Sequence, residues 1–312
     1  MTNENISIST HDLRCQFGEV RAVDGITFEV QTGTLFGFLG PNGAGKTTTI
    51  RLLLGLLEPD GGSAQVLGYD VRTQADQIRL NCGALLEQSG LYERLSAEDN
   101  LDLFGRIWHI PTEQRAQRIK ELLEKMGLYE RRKETVNTWS RGMKQKLAVV
   151  RTLMHNPRLV FLDEPTAGLD PVAAASLRDD LVDLARQHSV TVFLTTHNLA
   201  EAEKICDRVA VINKGKLLTV GSPDELRLQK STHSLTVVGR GFSPEVVAAL
   251  RAMPEVEAVE LQDRHLVVHF KQETDSGNLV QFLAGKGVMI DEVRKGKASL
   301  EEAFLALLEE KE

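Results

Sequence analysis

Cysteine is scarce. Three stand in 312 residues, Cys15, Cys82 and Cys206, far apart and with no C-x-x-C spacing. That excludes a disulfide framework or a paired-cysteine zinc site and reads as a chain of a reducing compartment. Long apolar runs are missing too: none approaches the roughly 18 residues a membrane span needs. The opening MTNENISIST has neither a basic nor an apolar stretch, so no secretory leader is expected. The expectation is a soluble chain that acts at a membrane only through a partner. No Lys/Arg-rich run stands out and the net charge is −7, which gives no footprint for nucleic acid. Low-complexity segments and heptad runs are absent. What is present is an ordinary globular composition, 42% hydrophobic and 26% charged. Its length suggests one large domain and a smaller one.

Residues 34–39 (TLFGFL) and 159–162 (LVFL) are short apolar runs and predict buried strands; residues 189–195 (SVTVFLT) are strand-like as well. Between them the pattern turns helical. Residues 46–57 (KTTTIRLLLGLL) predict a helix, Ser96-Ala97-Glu98-Asp99 resembles a capping box, and Thr112 can cap a helix whose apolar face is Ile119, Leu122, Leu123 and Met126. Residues 96–129 therefore predict a helical insertion. Asp170-Pro171 opens a long helix to about residue 187, and another helix follows from about Asn198. Strands alternating with helices indicate an α/β class with a mostly parallel sheet covered on both faces. After about residue 228 the order becomes strand, helix, two strands joined at Arg264, helix, strand and a last helix. That order predicts a small ferredoxin-like module.

Residues 40–47 (GPNGAGKT) fit G-x-x-x-x-G-K-[ST], with a predicted strand before and a predicted helix after. Glycines let several N–H groups point inward, and with the positive end of the helix they hold phosphates. Lys46 reaches those phosphates as a point charge and Thr47 offers a hydroxyl to Mg²⁺. A Gly-rich turn that matches by chance is the plain alternative. Asp163 and Glu164 end the run 159–162. Two adjacent carboxylates there are costly without a cation nearby. Asp163 is the candidate holder of Mg²⁺ and Glu164 the candidate acceptor of a proton from attacking water.

Residues 40–47, Ser140-Arg141-Gly142-Met143-Lys144-Gln145, Leu162-Asp163-Glu164-Pro165, Ala167-Gly168-Leu169-Asp170 and Thr196-His197 resemble the ordered motifs of ATP-binding-cassette ATPases. The resemblance covers residues 5 to 225. In detail it is similar to the nucleotide-binding subunits of ABC-2-type exporters, which include drug-resistance and sodium-export ATPases. It implies a P-loop NTPase cassette with an antiparallel edge at residues 1–228, a helical subdomain at about 90–155, and an accessory α+β domain at 229–312. It implies ATP and Mg²⁺, a cradle of Gly40, Pro41, Asn42, Gly43, Ala44, Gly45, Lys46, Thr47 and Thr48, and catalysis by Lys46, Glu164 and His197. WSRGMKQK, residues 139–146, corresponds to the signature motif. Ser140, Arg141, Gly142 and Met143 would hold the γ-phosphate bound by the other protomer of a head-to-tail dimer. Arg141 stands for the first signature glycine and Met143 for the glutamine, variation found within the exporter subgroup.

The resemblance also makes Asp170 the aspartate that bridges protomers and Phe17, 23 residues before Gly40, the ring that stacks on adenine. A glutamine is expected near Mg²⁺ and the attacking water. Counting back from Leu91-Tyr92 places it at Glu87, whereas Gln88 has the expected chemistry; either can serve, and side-chain type favours Gln88. The implied partners are a second cassette, in a homodimer or heterodimer, and a separate ABC-2-type permease seated near residues 87 to 110, with no nucleic acid. The implied place is the cytoplasmic face of the membrane. Two other readings are an ABC ATPase acting on ribosomes or DNA and a nucleotide-gated switch. The single cassette and acidic balance oppose the first; intact Glu164 and His197 oppose the second. The last module, with its tail Ser299-Leu300-Glu301-Glu302-Ala303-Phe304-Leu305, is expected to stabilise the dimer or regulate it.

Overall fold

The computed structural model of the chain describes residues 5–188, 190–229, 233–272, 274–296 and 300–309. It divides into two units between Pro223 and Asp224. The first begins with a long hairpin, β1 (Ile6–Phe17) and β2 (Val20–Gln31), followed by β3 (Leu35–Leu39) and α1 (Lys46–Leu53). Next come β4 (Gly61–Val66), β5 (Tyr69–Asp70), α2 (Ala75–Asn81) and β6 (Cys82–Leu85). Three helices follow, α3 (Ala97–Ile107), α4 (Thr112–Lys125) and α5 (Arg141–Thr152). The unit closes with β7 (Leu159–Asp163), α6 (Pro171–His188), β8 (Thr191–Thr196), α7 (Leu199–Ile205), β9 (Arg208–Asn213) and β10 (Lys216–Gly221). Helix α8 (Pro223–Gln229) runs across the division.

Strands with both faces covered carry unbroken apolar runs, and every residue of β3, β7 and β8 is buried. They lie in a six-stranded sheet of order β10-β9-β3-β8-β7-β6. All its pairings are parallel except that of β10 with β9 at the edge. Phe193 on β8 sits at the core centre with ring centroids 5.5–6.3 Å from Phe28, Phe36, Phe38 and Phe161. Aromatic groups at this spacing add packing energy beyond their buried area. Ile50, Leu52 and Leu53 of α1 join the same cluster, so the helix that starts at the Gly-rich loop is anchored from below.

A separate four-stranded antiparallel sheet, β2-β1-β4-β5, occupies residues that the sequence reading left without strands. Helix α1 is shorter than the expected 46–57. It stops at Leu53, and Gly55 at φ +61° turns the chain away. Thr112 is the first residue of α4 rather than its cap; Pro111 holds the cap position, and the Thr112 side chain makes no capping bond. The Ser96 hydroxyl does cap α3, accepting from Asp99 N at 3.0 Å. Among the described residues no helix is long and apolar enough to cross a membrane.

The second unit comprises β11 (His233–Arg240), α9 (Pro244–Arg251), β12 (Val256–Gln262), β13 (His265–Phe270), α10 (Ser276–Gly285), β14 (Met289–Gly296) and α11 (Leu300–Glu309). Its antiparallel sheet has the order β12-β13-β11-β14, the ferredoxin-like arrangement. Leu235, Val237, Leu266 and Val268 of the sheet pack with Val246, Leu250, Leu279 and Leu283 of the helices. Ser189, placed on a strand by sequence, and Ser299, placed on the last helix, lie outside the described residues.

Phe193→Ala removes the ring on which four others converge. It is expected to lower stability by about 3–5 kcal/mol, read from the urea midpoint of the purified chain.

Candidate active site

Strand β3 ends at Leu39, and the chain must reverse into α1 within six residues, Gly40 to Gly45. Gly45 carries the tightest part of that turn. It sits at φ +108°, and a Cβ there would lie 2.2 Å from the Ala22 carbonyl oxygen. No other residue fits. The Lys46 ammonium folds back over the loop and donates to the carbonyls of Gly40 at 2.7 Å and Pro41 at 3.1 Å. Ala44 N–H donates to Pro41 O at 3.2 Å, which closes the loop from inside.

Two carboxylates face this loop from β7. Asp163 is buried, yet both its oxygens have partners. Thr47 Oγ1 donates to Oδ2 at 2.6 Å and Thr195 Oγ1 to Oδ1 at 2.5 Å. Parallel pairing of β7 with β8 sets Asp163 opposite Thr195, so the sheet register makes the second contact. Glu164 follows at φ +51°, left-handed backbone that costs a β-carbon residue about 1–2 kcal/mol. The Glu164 N–H donates to Thr195 Oγ1 at 3.1 Å. The side chain then spans two groups: Oε1 lies 3.1 Å from Lys46 Nζ and Oε2 lies 2.5 Å from His197 Nδ1. A carboxylate accepts, so Nδ1 carries the proton and Nε2 is the nitrogen left for another ligand.

Lys46, Thr47, Asp163 and Glu164 wall a cavity of about 660 Å³ with Asn42, Gly43, Gly45 and Thr48; His197 lines a second cavity instead, which Glu164 shares. Glu87 and Ser89 also line the first, and Gln88 does not; Gln88 is exposed beyond the wall. Phe17 is 51% exposed on the β1–β2 hairpin and is not part of the wall, but its pairing partner Val20 is. Ser140 caps α5 by accepting from Met143 N at 3.3 Å. Gly142 is buried against Ala173, and Met143 Sδ accepts from Arg131 Nη1 at 3.2 Å. Asp170 caps α6, its Oδ1 accepting from Val172 N and Ala173 N at 3.0 Å each. Lys46, Thr47, Asp163, Glu164 and His197 thus converge. Ser140, Gly142, Met143 and Asp170 form a second group at the starts of α5 and α6.

Residues 23–167 match the family described as ABC transporter, and residues 221–308 match the C-terminal domain of DrrA1-3-like ATP-binding proteins. The chain is 37% identical over 295 residues to the daunorubicin resistance ATP-binding protein DrrA3 of Streptomyces coeruleorubidus, a match that covers 94% of this chain and 92% of that protein. The chain belongs to the ATP-binding subunits of ABC transporters. The bacitracin transport ATP-binding protein BcrA of Bacillus licheniformis is 33% identical, over 96% of this chain and 97% of that one. A solved ATP-binding subunit of an ABC transporter superposes with a TM-score of 0.62 at 30% identity, covering 71% of this chain and 92% of that one. CbiO1 from Clostridium perfringens shares the fold, with a TM-score of 0.68 at 22% identity over 80% of this chain and 96% of that one. The chain is accordingly an ATPase, and ATP is its nucleotide.

Several residues of this ABC subunit escaped sequence reasoning. Thr195 is fully buried and serves Asp163 and Glu164 together. Its only sequence signal is a hydroxyl at the carboxyl end of an apolar strand, where sites gather in open α/β sheets. Thr166, in the turn after Glu164, donates to Glu201 Oε2 at 2.5 Å, and Arg178 lies 2.7 Å from Glu201 Oε1. That network steadies the turn from behind.

Thr195→Val keeps shape and burial but leaves Asp163 Oδ1 and the Glu164 N–H without this hydroxyl. It is expected to cost about 1–3 kcal/mol of stability and to lower ATP turnover, with Thr195→Ser restoring both; urea titration and phosphate release are the measurements.

Proposed function

We propose that the chain is the ATP-hydrolysing subunit of an ABC-2-type exporter, held at the cytoplasmic face of the membrane through a separate permease. Two cassettes close head to tail on two ATP molecules, and that closure drives the permease. The observation that carries the hydrolytic half is the convergence of Lys46 and His197 on Glu164 beside the Thr47–Asp163 pair. The export half is supported by end-to-end likeness to proteins named for daunorubicin resistance and bacitracin transport. The match of residues 221–308 to the DrrA1-3-like domain supports the same subgroup.

In this reading the loop N–H groups and the start of α1 cradle the phosphates, and Lys46 neutralises charge at the β- and γ-positions. Glu164 takes a proton from the attacking water, and His197 holds the γ-phosphate side through Nε2. Phe17 reaches adenine from the hairpin rim. Ser140 and the N–H groups about Gly142 meet the partner's γ-phosphate, while Asp170 stands at the crossing between protomers. Most of the rate gain is positioning and electrostatics.

Mg²⁺ is implied by the family. The Thr47 hydroxyl and Asp163 carboxylate are hard oxygen donors 2.6 Å apart, and Mg²⁺ takes one or two such protein groups with water and phosphate oxygens. Among the described residues no cluster of three or more His, Cys, Asp or Glu forms an all-protein cage. The residues present fit Mg²⁺, with Glu87 nearer the cavity than Gln88. Held by Thr47 and Asp163, Mg²⁺ would supply positive charge against the charge that develops on the phosphates.

Glu164→Gln is expected to keep ATP binding and lose turnover about 100-fold or more; near-normal turnover would remove the role given to Glu164. Tagged Glu164→Gln protein, pulled from detergent-solubilised native membranes with MgATP, is expected to bring down a polytopic membrane protein in near-equal amount. Ribosomal or DNA-repair proteins in its place would keep the ATPase and overturn the exporter.

A further inference from the structure

Helix α5 begins with a cation where helices favour anions. Arg141 is its first residue, and the first turn holds no acidic side chain. The aligned N–H groups of that turn disfavour a guanidinium, so the charge does not serve α5 itself. Its Nη2 donates instead to the Ala167 carbonyl at 3.0 Å, 26 residues along the chain. Ala167 N–H in turn donates to Glu164 O at 3.1 Å and closes the turn that leaves β7. Arg141 therefore grips the far corner of the turn that begins at Glu164.

Gly168 makes room for this grip. It stands at φ +69°, and a Cβ there would lie 2.4–2.5 Å from three guanidinium atoms. Other contacts join α5 to α6: Gly142 on Ala173, and Lys146 with Ser176 at 2.8 Å and Asp180 at 2.7 Å. None of these touches the 164–167 turn. The glycine that the signature pattern places at position 141 has no side chain and can make no such tie.

We infer that Arg141 is a positioning residue that couples the two nucleotide sites of the closed dimer, by tying the Ser140 end of α5 to the turn that carries Glu164 of its own chain. The inference rests on the head-to-tail reading above. Ser140 meets the partner's nucleotide, Glu164 acts on the chain's own, and Arg141 joins them. Closure covers the contact and removes water from it, which strengthens a hydrogen bond to a charged donor. The tie is firmest when both sites are filled.

The test compares the full chain with Arg141→Gly, Arg141→Lys and Gly168→Ala. Turnover against ATP concentration gives kcat, KM and the Hill coefficient. Dimer formation with MgATP is followed by analytical ultracentrifugation in the Glu164→Gln background. For Arg141→Gly, kcat is expected to fall about tenfold, the Hill coefficient to drop to about one, and the MgATP dimer to persist. Arg141→Lys recovers part of the turnover. Gly168→Ala, which displaces the guanidinium, reproduces the loss, and the double variant is no worse than either single one. Unchanged kcat and Hill coefficient overturn the coupling. So does loss of the dimer on Arg141→Gly, which makes Arg141 a contact to the partner's nucleotide. If Glu164→Gln alone forms no MgATP dimer, the head-to-tail reading falls and the coupling with it; a failure confined to the Arg141 variants removes only the coupling.

Discussion

A carboxylate at the end of a buried strand must have both oxygens met, or it destabilises the sheet that holds it. Asp163 is that group here. Thr47 reaches it from the start of α1 and Thr195 from the neighbouring strand. These two hydrogen bonds fasten the Gly-rich loop, β7 and β8 into one frame. The aromatic cluster beneath, centred on Phe193, makes the frame rigid. With Asp163 held, Glu164 has one way out of the strand, the left-handed turn at φ +51°, and that turn aims its side chain between Lys46 and His197.

The strain at Glu164 is sustained from several sides. Thr195 accepts from its N–H, Thr166 is tied to Glu201, and Arg141 is tied to Ala167. A backbone cost of about 1–3 kcal/mol persists only where surrounding contacts over-determine the conformation. Here they come from β8, α7 and α5. Glu164 is thus tied to the start of α5, the end that meets the partner's nucleotide in the proposed dimer.

Some of this was legible in the sequence. Runs such as TLFGFL and LVFL suit strands buried on both faces, as in a parallel sheet, and the Gly-rich loop and acidic strand end are local patterns. Caps at Ser96 and Asp170 are local too, and both side chains accept a hydrogen bond at a helix start, whereas Thr112 falls one residue inside its helix. The antiparallel sheet of residues 6–31 and 61–70 was not legible. The β1–β2 pairing is irregular at four points, and each slip shifts the inward side chains and blurs the alternation. Thr195 reads as an ordinary strand residue, and the partner of Arg141 lies 26 residues off. At Glu87 and Gln88 side-chain type and chain position pointed different ways. The wall follows the path of the backbone leaving β6.

The charges of the wall complete the account. The chain carries −7 overall, yet Arg21, Lys46, Arg141 and Lys214 face Glu87, Asp163 and Glu164 across the cavity. Four cations against three anions leave a surplus of one positive charge. A cleft focuses its local charge irrespective of the net charge of the chain, so an anionic nucleotide is drawn in. One positive charge does not balance a triphosphate, however, and the wall's three carboxylates limit how far the site can do so alone. In the proposed reading the remainder comes from a hard cation at Thr47 and Asp163 and from the start of the partner's α5. A site that cannot finish its own neutralisation is one in which hydrolysis waits for closure. Arg141 suits that design, because its grip on the Glu164 turn makes the same closure felt at the other site.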